Sequence, residues 1–215
     1  MDSWTRDFID LARSAGALKF GRFELKSGRI SPYFFNAGAF CDGRLLAGVA
    51  DCYADAIAAS GVEFDLLFGP AYKGIPLAAT VAASLYTRHG RNLPVTYNRK
   101  EAKDHGEGGN LVGAPLTGRV LVVDDVLSAG TAFGEARALI EAAGANVVAL
   151  VVGLDRQERG TGTGSAGSEL TDRGIGVVAV ARFDDLIASI DAGQPDSELA
   201  DAMREYRRRH GVQPD

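Results

Sequence analysis

Two adjacent acids, Asp124 and Asp125, end the apolar run Arg119-Val-Leu-Val-Val-Asp-Asp125, and a short turn containing Ser128, Gly130 and Thr131 follows. A buried strand that delivers its last residues to such a turn, with a helix beginning behind it, makes a cradle for a phosphate group. The free backbone N–H groups at the helix start, the hydroxyls and the helix dipole all favour an anion there. Carboxylates beside a phosphate repel it unless they have another task. Accepting hydrogen bonds from sugar hydroxyls, or holding water on Mg2+, would be such a task. An acidic turn followed by a Ser/Thr helix cap accounts for the same residues. The segment alone leaves both readings open.

The lysines point the same way. Lys and Arg together number 23, yet only Lys19, Lys26, Lys73, Lys100 and Lys103 are lysine. A compact ammonium on a mobile stem does what a planar guanidinium cannot, so lysine kept in an arginine-rich chain is worth tracing. Lys73 follows the apolar run Asp65-Leu-Leu-Phe-Gly69, within Gly-Pro-Ala-Tyr-Lys-Gly. Lys100 and Lys103 sit in the polar, glycine-studded segment Arg99 to Asn110, together with His105. By itself Lys73 would suit a snorkelling surface lysine, and His105 a solvated loop residue.

These residues need elements to hold them. Trp4, Phe8, Leu11, Ala12 and Ala15 recur at helical spacing over Ser3 to Ala15, and Leu46, Val49, Ala50, Tyr53 and Ile57 do so from Gly43 to Ser60, before Gly61. Further helices are predicted at Gly74 to His89, Thr131 to Ala143, Asp184 to Ile190 and Ser197 to Arg209. Strands are predicted at 65–69, 94–98, 119–125, 146–154 and 175–181. The central strands are continuous Val/Leu runs rather than alternating ones, which marks a parallel sheet covered on both faces. The expectation is an α/β doubly wound, mainly parallel sheet, in which ligands sit beyond the carboxyl ends of the strands. Residues 99–110 have no apolar period and are expected to form an exposed, mobile loop.

Composition excludes several classes. With 46% apolar and 24% charged residues the chain is an ordinary globular one, not a disordered or fibrous one. A net charge of -5 argues against general nucleic-acid binding. No apolar run approaches the roughly 20 residues needed to span a bilayer. Asp2, Asp7 and Asp10 fit no targeting peptide. Cys41 and Cys52 are read as reduced thiols, which gives an expected cytoplasmic location, with no membrane and no nucleic acid as partner.

The segment Val120-Leu-Val-Val-Asp-Asp-Val-Leu-Ser-Ala-Gly-Thr-Ala132 resembles the 5-phosphoribosyl-1-diphosphate (PRPP) signature of phosphoribosyltransferases. Phe23-Glu-Leu-Lys-Ser-Gly-Arg-Ile-Ser-Pro-Tyr-Phe-Phe-Asn36, Phe68-Gly-Pro-Ala-Tyr-Lys-Gly-Ile-Pro76, Asn98-Arg-Lys-Glu-Ala-Lys-Asp-His-Gly-Glu-Gly109 and Asp155-Arg-Gln-Glu-Arg-Gly160 resemble those of the orotate phosphoribosyltransferases in particular. The resemblance covers most of the chain and implies one phosphoribosyltransferase domain over 1–215, with the N-terminal helix and the 20–40 segment forming a small hood over the base site. It implies that PRPP is bound by Lys26, Tyr72, Lys73, Arg99, Lys100, Lys103 and His105. With them would act Asp124, Asp125, Val126, Leu127, Ser128, Ala129, Gly130, Thr131 and Ala132. Orotate would meet Lys26, Phe34, Phe35, Ser128 and Arg156, with Ser128 standing where the family more often has Thr. Lys103, Asp124 and Asp125 would carry catalysis. Mg2+ would have no direct protein ligand, being held by PRPP and through water by Asp124 and Asp125. The implied reaction joins orotate to PRPP, giving orotidine 5′-monophosphate and diphosphate, in a homodimer whose 99–109 lid reaches the neighbouring site.

Two rivals keep the fold: a transferase for another base, and a PRPP-sensing regulator without turnover. Lys26, Phe34, Phe35 and Arg156 suit an acidic pyrimidine, and Lys100, Lys103 and His105 suit a departing diphosphate. Gly162, Gly164 and Gly167 satisfy a dinucleotide-binding spacing, but no strand leads into them. That stretch is expected to be a flexible connection with no apolar helix after it. Arg207-Arg-Arg-His210 is expected to be a solvated helix end.

Overall fold

Val120, Leu121, Val122 and Val123 are all completely buried, so the strand they form must be covered on both faces. The structure, a computed structural model, describes residues 1–25, 28–103, 109–127, 131–159, 164–192 and 197–212, with the backbone alone at 101–103, 109, 131 and 132. Along the chain come α1 (Ser3–Ser14), β1 (Leu18–Glu24), β2 (Ile30–Phe35), α2 (Gly43–Ser60), β3 (Leu66–Gly69), α3 (Gly74–His89), β4 (Val95–Lys103) and β5 (Gly109–Gly113). Then follow β6 (Arg119–Leu127), α4 (Thr131–Ala142), β7 (Asn146–Asp155), α5 (Ala166–Thr171), β8 (Gly176–Arg182), α6 (Phe183–Ala192) and α7 (Ser197–His210).

The main sheet has the order β5-β4-β3-β6-β7-β8. Its pairings are parallel except β4 with β5. Alternation along β6 divides its side chains between two cores. Leu121 and Val123 join residues of α1, α2, α3 and α6. Val120 and Val122 join Ala136 and Ile140 of α4 and Leu170 of α5. Each such side chain contributes about 1.5–3 kcal/mol relative to exposure. The fold is the doubly wound α/β arrangement expected. Local signals set its helix ends: the Asp42 carboxylate accepts the Leu45 N–H at 2.8 Å to start α2, and Gly61 at φ 67° ends it.

The order of the strands creates the site. From β3 the chain runs outward to β4 and β5, then returns to lay β6 on the other side of β3. That reversal opens a crevice between the carboxyl ends of β3 and β6. Apart from the sheet, β1 and β2 form an antiparallel hairpin, with Leu18 opposite Phe35 and Lys19 opposite Phe34. Its inner face packs on α1 through Phe35 and Phe8, whose ring centroids are 6.1 Å apart.

Three expectations are corrected. The flanks of the 99–110 segment are strand, not loop: β4 runs on to Lys103 and pairs with β5, Asn98 opposite Leu111 and Lys103 opposite Gly109. An edge ladder is made by backbone groups, so it forms without an apolar period. Residues 104–108 lie outside the described residues. A helix does follow the glycine-rich stretch, because Ser165 caps Ser168 N–H at 2.9 Å and Leu170 anchors α5 in the core; one turn and a half is too short to show a period. Residues 160–163 lie outside the described ones. Arg207 is not solvated: its side chain is only 14% exposed and is bonded to Asp184. Arg208 and Arg209, at 74% and 70%, do face water. Among the described residues no helix is long and apolar enough to cross a membrane.

Candidate active site

Gly69 ends β3, and Pro70 to Lys73 form the lip of the crevice before α3 begins at Gly74. The turn is tight enough to need glycine. A Cβ on Gly74 would lie 2.5 Å from Pro70 Cδ and 2.9 Å from the Val123 carbonyl oxygen of β6. The turn is also tied sideways to β4, because the Ala71 N–H donates to Asn98 Oδ1 at 2.9 Å. This bond presents Tyr72, 63% exposed, and places the Lys100 ammonium 4.9 Å above its ring. Exposed cation–π contacts of this kind contribute about 0.5–1 kcal/mol.

Across the crevice, β6 carries the two acids. Lys73 Nζ donates to Asp125 Oδ2 at 2.7 Å, so a cation on one lip meets an acid on the other. Lys73 is 56% exposed, and its flexible stem lets it move to another anion at small cost. Asp124 is more enclosed. Its Oδ1 accepts the Asp125 N–H at 2.8 Å, and its carbonyl oxygen accepts the Tyr53 hydroxyl at 2.9 Å. Burial, opposed by that N–H and reinforced by the Asp125 charge, pushes the Asp124 carboxyl up to about 6. Val126 is half-buried and Leu127 buried at the end of the strand. Arg99 is half-buried on β4.

The second part of the site stands beyond β7. Leu127 pairs with Asp155, so β6 and β7 end side by side at this edge of the sheet. In that loop the Arg156 guanidinium lies 5.9 Å from the Tyr33 ring centroid of the hairpin. Among the described residues, Arg156 Nε is buried without a hydrogen-bond partner, as is the Tyr33 hydroxyl. A donor held in this way is suited to an acceptor on a bound molecule. On the hairpin, Phe34 is 39% exposed and Phe35 only 6%. Strand alternation turns the Phe35 ring inward against Phe8 and Phe40, so of the two only the Phe34 ring can form a wall. The Phe34 ring is steadied by Phe23 at 5.6 Å.

The structure therefore brings Tyr72, Lys73, Lys100, Asp124 and Asp125 to one crevice and sets Arg156 at the neighbouring strand end. Lys26, His105, Ser128, Ala129 and Gly130 lie outside the described residues, as do the side chains of Lys103, Thr131 and Ala132. Sequence reasoning passed over Asn98, Tyr53 and Tyr33. What they hold is set by contacts between elements far apart in the sequence. Among the described residues no group of three or more His, Cys, Asp or Glu side chains could hold a metal. A cavity of about 580 Å³ behind the hairpin, lined in part by Phe20, Ile30, Leu199 and Tyr206, contains none of the residues gathered at the strand ends.

Comparison with known proteins agrees with this geometry. Residues 42–161 match the phosphoribosyl transferase domain family. An orotate phosphoribosyltransferase from Chromohalobacter salexigens is 53% identical, over 100% of this chain and 98% of that protein. One from Saccharophagus degradans is 52% identical over 99% and 100%. The crystal structure of the Francisella tularensis orotate phosphoribosyltransferase superposes with a TM-score of 0.86 at 41% identity, covering 95% of this chain and 99% of that one. The match runs the length of the chain, through both the crevice and the loop after β7, and the chain belongs to the orotate phosphoribosyltransferase family.

Proposed function

We propose that this chain transfers the 5-phosphoribosyl group from PRPP to orotate, with Mg2+, as a cytoplasmic homodimer serving pyrimidine nucleotide synthesis. The observation that carries the reading is the pairing of a Lys73–Asp125 crevice with an Arg156 whose Nε is left free beside it. One suits a sugar polyphosphate and the other a flat organic anion.

PRPP fits the crevice by charge. Its 5-phosphate would lie at the start of α4, and its ribose hydroxyls would donate to Asp124 and Asp125. Lys73 and Lys100 would turn to the diphosphate, with Lys103 joining from the neighbouring protomer's lid. Orotate would lie on Phe34 with its carboxylate or carbonyls facing Arg156. N1 of the orotate anion then attacks C1 of the ribose with inversion; the C1–O bond breaks and its electron pair leaves with the diphosphate. The lysines stabilise the charge that grows there, and no enzyme nucleophile takes part. Mg2+ would be held by PRPP and, through water, by Asp124 and Asp125, whose carboxylates accept hydrogen bonds from the water of such an ion. When bound, Mg2+ would supply positive charge to offset that growing on the diphosphate.

The dimer is supported by β5 being an edge strand, with the Lys100-bearing β4 next to it; lysines at a sheet edge can reach a neighbour. A Lys103→Ala chain mixed with an Asp125→Asn chain should regain about a quarter of wild-type activity through hybrid dimers. No recovery would refute shared sites. The activity itself is tested by incubating the protein with PRPP, Mg2+ and equal amounts of orotate, uracil, hypoxanthine and adenine, and separating the products. Orotidine 5′-monophosphate alone is expected. Consumption of another base in preference would overturn the specificity, and PRPP binding without any product would overturn the activity.

A further inference from the structure

We propose that the C-terminal end of α7 aims Arg156 at the base, with Arg207 as the positioning residue and Gly211 as the position that admits it. The inference rests on the reading that Arg156 contacts orotate.

The loop that carries Arg156 does not hold its own shape. Gln157 stands at φ 50°, a left-handed conformation found at no other non-glycine among the described residues. Its polar groups are all taken by neighbours. Its N–H donates to Asp155 Oδ1 at 2.8 Å, and its Oε1 accepts the Asp184 N–H at 2.9 Å. Its carbonyl oxygen accepts the Val212 N–H at 3.1 Å and Arg207 Nη1 at 3.4 Å. The residues that follow are fastened to the same segment: Arg159 N–H donates to the His210 carbonyl at 2.9 Å, and Arg159 Nε to that of Gly211 at 3.0 Å. The Tyr206 hydroxyl donates to Glu158 Oε1 at 2.9 Å.

Arg207 is the centre of this fastening. Its Nε donates to Asp184 Oδ1 at 2.9 Å, its Nη2 to Asp184 Oδ2 at 3.3 Å, and its Nη1 to the Val212 carbonyl as well as that of Gln157. Burial works to raise the Asp184 carboxyl, yet the bonds from Arg207 and Gln157 hold it below its ordinary value. One guanidinium thereby links α6, the base loop and the chain after α7. Gly211 leaves it room: a Cβ there would lie 2.5 Å from the Arg207 carbonyl oxygen and 2.9 Å from Arg207 Cδ. Among the described residues, Arg156 Nε is the donor of this loop that is buried without a partner, and its guanidinium is set over Tyr33. The loop is tied on both sides of the one donor that must stay available.

The test is a double-mutant cycle read by steady-state kinetics on the full chain, with Arg156→Ala, Arg207→Gln, the double variant and Arg208→Ala as an exposed control. Arg156→Ala should raise the orotate KM roughly ten- to a hundred-fold. Arg207→Gln should raise it about ten-fold with the PRPP KM within about two-fold, and should add almost nothing in the Arg156→Ala background. Arg208→Ala should change neither constant. An orotate KM that Arg207→Gln leaves at the wild-type value, or a full additional loss in the double variant, overturns the proposal while the role of Arg156 stands. An unchanged orotate KM in Arg156→Ala removes that role and the proposal with it. Should Arg207→Gln not fold, Gly211→Ala replaces it in the same cycle, with the same expected split between the two substrates.

Discussion

The crevice between β3 and β6 and the loop after β7 hold their functional side chains in opposite ways. In the crevice Lys73 meets Asp125 through a single ion pair, and Lys100 rests on an exposed Tyr72 ring. In the loop, Asp155, Gln157, Glu158 and Arg159 are bonded on every side, by Asp184 and by the end of α7. Under the proposed function, the difference follows from what each region would handle. A diphosphate moves away as its bond breaks, so its cations must be able to follow it. A flat base anion must be told from neutral bases, so its donor must stay fixed.

The contrast breaks most severely at the cations. Lys103→Ala should lower kcat by roughly a hundred- to a thousand-fold while the PRPP KM shifts only a few-fold, because the interaction grows in the transition state. Equal losses in binding and turnover would make Lys103 a ground-state ligand. Asp124→Asn should cost about a hundred-fold in turnover and also reveal a cost built into the crevice. The Asp124 carboxyl is raised from 3.8 to about 6 by burial, so the fold favours its neutral form. Its contribution to stability is full below pH about 4 and is lost as pH rises through about 6. Asparagine keeps the oxygen that accepts the Asp125 N–H and never charges. The variant should therefore exceed wild type by about 1–2 kcal/mol at pH 8 and match it at pH 4, as read by urea unfolding. A wild type more stable than the variant at pH 8 would show that the buried charge is compensated. The smallest effect is at Tyr72. Tyr72→Leu should raise the PRPP KM by about two- to four-fold through the lost ring contact, and a change above twenty-fold would give the ring a larger task.

The crevice was more legible in the sequence than the loop. A Val/Leu run ending in Asp124 and Asp125, and Lys73 just past a short apolar strand, carry local signals that survive in one dimension. The strand at 119–125 and the helix at 74–89 follow from those same runs. Arg207 gave no such signal. Its neighbours Arg208 and Arg209 do face water, and only the packing of α7 on α6 and the loop after β7 turns the first cation of the run inward. Phe34 and Phe35 look alike in sequence, yet strand alternation puts one ring at the surface and the other in the core. The β4–β5 ladder was hidden for a related reason: backbone pairing leaves no trace in a polar segment.

The contrast is tested most directly by initial rates of orotate absorbance loss over a grid of orotate and PRPP concentrations, for wild type, Lys73→Met and Arg156→Ala. The expected result is a double dissociation. Lys73→Met should raise the PRPP KM by about ten-fold or more and leave the orotate KM within about two-fold, with the reverse for Arg156→Ala. If both constants rise together in either variant, the division between a movable phosphate site and a fixed base site is wrong.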